Sequence, residues 1–153
     1  MDKLEIWCDG ACRNNQSKTN LGSWAVILKY GDHEKTFGEV AENTTNNIME
    51  LSAAIGALNS VKNKHVPTEI TTDSQLVVKG INDWSKNWVE NGWMKSNNKP
   101  VENQPYWLWL LDLVAEFDDI KFVHCTAHSD NAYNLRVDNM CNNLMDIYLR
   151  DKK

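Results

Sequence analysis

The chain has 153 residues, 42% hydrophobic and 24% charged, enough for one globular domain with a core of its own, so residues 1–153 are read as a single domain. A formal net charge of −5 and a pI near 5.3 exclude a protein that holds nucleic acid by bulk positive charge; any such function must rest on a local site. The most apolar stretch, YWLWLLDLVAEF, is interrupted by Asp112, and MDKLEIW carries two acidic groups, so neither membrane anchor nor signal peptide is expected. Cys8, Cys12, Cys125 and Cys141 do not have the spacing of a disulfide scaffold and suit reduced thiols in the cytoplasm.

Leu4 to Cys12, LEIWCDGAC, alternates with a period of two and reads as a short strand that ends by presenting Asp9, with Gly10 letting the chain leave the sheet. A polar loop to Gly22 follows. Ser23–Tyr30 and His33–Val40 are strand-like runs joined by Gly31-Asp32, a dipeptide suited to a tight hairpin, which makes the first three strands an antiparallel meander. Asn43-Thr44-Thr45-Asn46-Asn47 is a cluster of helix-capping residues. Ile48, Leu51, Ile55 and Leu58 then keep helical spacing to about Val61, with Glu50 placed in the first turn at the margin of the apolar stripe.

After Pro67, EITT forms a fourth strand ending at Asp73, and Ser74 caps a short helix, QLVVKGI. If strands one and four are parallel neighbours, Asp9 and Asp73 emerge side by side at their carboxyl ends. Asn82 to Pro105 reads as a protruding helix and loop in which Lys86, Lys95 and Lys99 balance Asp83, Glu90 and Glu102 among three tryptophans. Tyr106–Phe117 is an amphipathic helix and Ile120–Cys125 a fifth strand. From Asn134 a last helix carries Val137, Met140, Cys141, Leu144, Met145 and Tyr148 on one face, with Asp138 beside it.

Asp9, Glu50, Asp73 and Asp138 are thus candidates for one site. Four carboxylates brought together would repel one another unless cations neutralise them, and oxygen ligands of this kind suit magnesium. Two ions roughly 3.5–4 Å apart would activate a water and stabilise the leaving oxygen of a displacement at phosphorus. His128, in CTAHSDN, has a side chain that titrates near working pH and is a candidate acid, base or product-release group; the alternative is a surface loop histidine.

The segments CDGAC, TTNNIMEL, TTDSQLVVKGI, WSKNWVENGWMKSNNKPV and AHSDNAYNLRVD resemble, in order and separation, those of the type 1 ribonucleases H. The resemblance implies an α/β fold of ribonuclease H type: a five-stranded mixed sheet, three antiparallel strands plus two parallel ones, with helices on both faces. It implies an endonuclease that hydrolyses the RNA strand of RNA–DNA hybrids with two Mg2+ ions, Mn2+ able to substitute, leaving 5′-phosphate and 3′-hydroxyl ends. Carried over residue by residue, it makes Asp9, Glu50, Asp73 and Asp138 the metal-binding set, with Asp9 bridging, and His128 the histidine that assists turnover. Thr45, Asn46, Asn47 and Gln75 match substrate contacts, and Trp84 matches a residue that touches the nucleic-acid backbone. A monomer with a nucleic-acid partner and no membrane partner is expected. The chain departs from the pattern in its first loop, RNNQSKTN, in Ile48 where a basic residue is common, and in the zero net charge of its protrusion.

Other readings are a nuclease or strand transferase on the same acidic fold, and a binding relative that has lost catalysis, against which stands the retention of all four carboxylates and His128. A zinc site from Cys8, Cys12, Cys125 and His128 is disfavoured because Cys8 faces away from Asp9 on its strand. Packing is the simpler role for Trp88, which shares a helical face with Trp84.

Overall fold

The computed structural model describes residues 2–14, 20–126 and 131–151. Strands β1 (Leu4–Arg13), β2 (Leu21–Tyr30) and β3 (His33–Glu42) form the expected meander, and β4 (Thr68–Thr72) and β5 (Ile120–His124) complete a sheet of order β3-β2-β1-β4-β5. The meander is antiparallel, while β1 with β4 and β4 with β5 are parallel.

Alternation along β1 sorts the two faces. Ile6 and Cys8 join Val26, Ile70 and Phe122 in the main core, beneath α1 (Asn46–Asn59) and α4 (Gln104–Ala115). Trp7 points the other way and packs with Ile27 against Val137 of α5 (Ala132–Asp151). Helices therefore cover both faces of the central strands, whereas β5 at the sheet edge buries Phe122 and leaves Lys121, Val123 and His124 exposed.

Two local expectations are corrected. Gly10 does not end the first strand: β1 runs on to Arg13, pairing with β2 throughout. Its glycine is needed for close approach, since a Cβ there would lie 2.3 Å from the carbonyl carbon of Met49 and 2.4 Å from the amide nitrogen of Glu50. The missing side chain lets α1 press onto the strand one residue beyond Asp9. Second, α1 starts at Asn46, with Thr45 as the cap whose Oγ1 accepts from Ile48 N at 3.1 Å. Glu50 therefore lies past the first turn, which contains no acidic residue.

Between β4 and α4, helix α2 (Gln75–Lys79) is capped by Ser74, a π-helical turn spans Gly80–Trp84, and α3 (Ser85–Glu90) follows. Trp88 is buried and meets Trp107 edge to face at 5.0 Å between ring centroids, so it is a packing residue. Trp84 remains 38% exposed.

Candidate active site

The site follows from where pairing stops. β1 pairs with β4 only from Leu4–Thr68 to Trp7–Thr71, and β4 ends at Thr72 while β1 continues. Beyond Trp7 the β4 side of β1 is therefore open. Into that gap come Asp9 from β1, Asp73 from the turn after β4, Glu50 from α1 and Asp138 from α5. They line a cleft of about 250 Å³ together with Gly10, Asn46 and Asn134. The four sequence-predicted carboxylates are thus neighbours, although they come from four separate elements.

Their electrostatics are those of crowded like charges. Asp9 is 6% exposed. Burial first, then the carboxylates of Asp73 and Asp138, push its pKa from the ordinary 3.8 up to about 8, against the opposing pull of a 2.9 Å hydrogen bond from Gly10 N–H. Glu50 is also raised, chiefly by burial and further by Asp73, while a hydrogen bond from Ser74 acts the other way. Asn46 Nδ2 donates to Glu50 Oε1 at 3.1 Å and so orients this carboxylate. The Asp9 carbonyl accepts from Cys141 Sγ at 3.4 Å, a contact between the floor of the site and α5.

Among the described residues no three acidic, histidine or cysteine side chains are gathered as a ligand set for one ion. The carboxylates line an open cleft. That arrangement fits a hard divalent ion which keeps several waters and takes its remaining oxygens from substrate phosphate, and a cation would relieve the charge conflict at Asp9. Zinc has less to recommend it, because Cys8 belongs to the main core, on the face away from Trp7.

The remaining predicted residues separate. Thr45 caps α1 with its side chain, and Asn46 turns towards Glu50 inside the cleft. Asn47 lines a neighbouring groove of about 460 Å³ with Trp84, Asn87, Asn91, Lys95 and Trp107. Gln75 is exposed in the first turn of α2. His128 lies outside the described residues. The sequence reading missed Asn134, which is 3% exposed and lines the carboxylate cleft. The available signal was its spacing, four residues before Asp138 on the same helical face.

Comparison with known proteins agrees with this fold. The family model for RNase H matches residues 1–145. A ribonuclease H of Clostridium botulinum is 40% identical over 147 residues, covering 95% of this chain and 97% of that protein. Among solved structures, LC9-RNase H1, described as a type 1 RNase H with the type 2 active-site motif, superposes with a TM-score of 0.82 at 22% identity, over 94% of this chain and 72% of that one. LC11-RNase H1 in complex with RNA/DNA hybrid gives 0.71 at 22% identity, over 96% and 99%. With the family model spanning nearly the whole chain and four acidic residues meeting where β1 outruns β4, the chain belongs to the ribonuclease H family.

Proposed function

We propose that residues 1–153 form one catalytic domain, an endonuclease that hydrolyses the RNA strand of RNA–DNA hybrids. The observation that carries the reading is the convergence of Asp9, Glu50, Asp73 and Asp138 on one cleft, beside a groove lined by amides and tryptophans. In the reaction a water oxygen forms a bond to phosphorus as the bond to the 3′ oxygen breaks, which leaves 5′-phosphate and 3′-hydroxyl ends. Two Mg2+ ions, or Mn2+ in their place, would activate that water and stabilise the leaving oxygen. Asp9, Glu50, Asp73 and Asp138 would hold them.

The other groups of the chain bind and orient. Asn46 holds Glu50 at a fixed angle. Asn47, on the groove wall, and the exposed Gln75 would offer their amides to sugar and phosphate in a minor groove, the face on which a 2′-hydroxyl distinguishes RNA from DNA. Trp84 would offer its exposed ring to a nucleic-acid backbone, and Thr45 would act through the cap at the start of α1. His128 takes the role of a proton carrier or product-release group. The four free thiols suit a reducing cytoplasm, and no helix among the described residues is long and apolar enough to cross a membrane. We take the working unit to be a monomer.

The test is cleavage of a labelled hybrid beside double-stranded RNA and DNA, with magnesium, for the wild type and Asp73→Asn. Only hybrid RNA is cut, and the variant, still folded and still binding hybrid, loses at least about 100-fold in rate, the scale of removing one group that manages developing charge. A wild type that binds hybrid but cuts nothing with magnesium or manganese overturns the proposal in favour of a binding relative.

A further inference from the structure

The corner that carries Thr45, Asn46 and Asn47 is held from outside by a residue with no place in the chemistry. Asn20, just before β2, is buried. Its Nδ2 donates to the Thr44 carbonyl at 2.7 Å, and its Oδ1 accepts from the Thr44 N–H at 2.7 Å. Its own carbonyl accepts from the Asn43 N–H at 3.1 Å. One side chain thus pairs with both backbone groups of Thr44 as a neighbouring strand would, across a turn in which Asn43 has a left-handed φ of 54°.

Thr44 contributes little polar anchorage of its own. Its Oγ1 is buried with no hydrogen-bond partner among the described residues, and its methyl group fills the space over Gly22, where a Cβ would come within 2.5 Å of it. A buried peptide with both groups satisfied by one amide is sensitive to that amide, because its loss leaves a donor and an acceptor unpaired at once. Helix α1 has a separate anchor, the close approach at Gly10, so Glu50 does not depend on this link. What does depend on it is the entry to the helix: the Thr45 cap and, after it, Asn46 at the edge of the cleft and Asn47 on the groove wall.

We propose that Asn20 is a positioning residue for substrate, one that sets hybrid affinity by holding the Thr44–Asn47 corner against the sheet. The inference rests on the hybrid reading above. It weighs on binding more than on chemistry: Asn46 and the groove wall shift when the link is lost, while the four carboxylates, carried by β1, the turn after β4, the body of α1 and α5, stay.

The test compares wild type, Asn20→Ala and Asn20→Asp on a labelled hybrid at saturating magnesium, with melting temperature in parallel. The Ala variant removes both bonds. The Asp variant keeps the volume and the acceptor but sets a carboxylate oxygen against the Thr44 carbonyl, so it remains informative if the Ala variant does not fold. The expected result for either folded variant is a KM raised about tenfold with kcat within about twofold of wild type. Amide exchange without substrate provides a second readout, with the Thr44 N–H exchanging faster in the variants. An unchanged KM in folded variants, or a fall in kcat at constant KM, overturns the proposal while the hybrid reading survives. A wild type that neither binds nor cuts hybrid overturns that reading first, and this inference with it.

Discussion

Asp9 is a carboxylic acid held where its charge is unwelcome. Burial and the nearby Asp73 and Asp138 raise its pKa to about 8 in the folded chain, above its ordinary 3.8. The folded state therefore binds this proton more tightly than the unfolded state, and the stability it contributes is full below about pH 4 and is lost as pH rises through 8. In metal-free protein the loss is at most roughly 1.4 kcal/mol per pH unit between pH 5 and 8. Thermal melts in chelator across that range should show stability falling with pH, and Asp9→Asn should flatten the curve and melt above wild type at pH 8. Added magnesium should restore the wild type at pH 8 and have little effect on the variant. A wild-type curve that rises with pH in chelator would contradict the crowding of these carboxylates.

At the scale of elements, the position of Asp138 and Asn134 depends on how the start of α5 sits on the sheet. There Tyr133 stacks on Trp7 with ring centroids 3.9 Å apart and planes 14° from parallel. Lys29 Nζ and the Arg136 guanidinium each lie 5.5 Å from the Tyr133 ring, and Arg136 grips Glu34 through two hydrogen bonds of 2.9 and 2.7 Å. The exposed ion pair contributes little by itself, whereas the stack buries an aromatic face two residues before Asp9 on the same side of β1. Tyr133→Phe should keep nearly all of this stability, and Tyr133→Leu should cost about 1–2 kcal/mol. Denaturant melts measure the difference; equal losses for both variants would show that the hydroxyl, and not the ring, holds the helix.

For the whole molecule the telling quantity is charge. The net charge is −5, and in the protrusion Lys86, Lys95 and Lys99 are offset by Asp83, Glu90 and Glu102. Lys95 and Glu102 both line the groove beside Trp84. Few counterions would be released when hybrid enters, so affinity should fall with salt less steeply than for a relative whose protrusion is basic. Glu102→Lys should tighten hybrid binding at low salt and steepen the slope of log affinity against log salt by about 1. Fluorescence anisotropy at a series of salt concentrations reads both, and a wild-type slope as steep as that of such a relative would refute the charge argument.

Much of this was legible in the chain because it is written in local repeats. The alternation of Leu4, Ile6 and Cys8, the Gly31-Asp32 turn, the helical spacing from Ile48 and the caps at Thr45 and Ser74 all act within a few residues, and β1, the β2–β3 hairpin, α1 and α2 appear where these signals place them, except that β1 runs on past Gly10. The acidic residues, too, could be picked out from their neighbours. In sequence Gly10 reads as the place where the chain leaves the sheet, because a glycine that ends a strand and one that makes room for a helix look the same until the helix is there. Glu50 was placed a turn too early because five consecutive cap-forming residues leave the true cap open among them, and Thr45 is selected by its bond to Ile48 N. Asn20 carries no local pattern, since its partner Thr44 lies more than twenty residues away, and Asn134 shows only its helical spacing from Asp138, without the β1 and α1 groups it faces across the cleft. By itself, then, the sequence determined the elements, their order and the set of acidic groups, through periodicity and capping that operate over short range. The tertiary structure alone decided that β1 outruns β4 and opens the cleft, that burial and the neighbouring carboxylates raise the pKa of Asp9, and that Asn20 clasps the corner beside it. Those outcomes depend on burial and on contacts between distant parts of the chain, which come into being only when it folds.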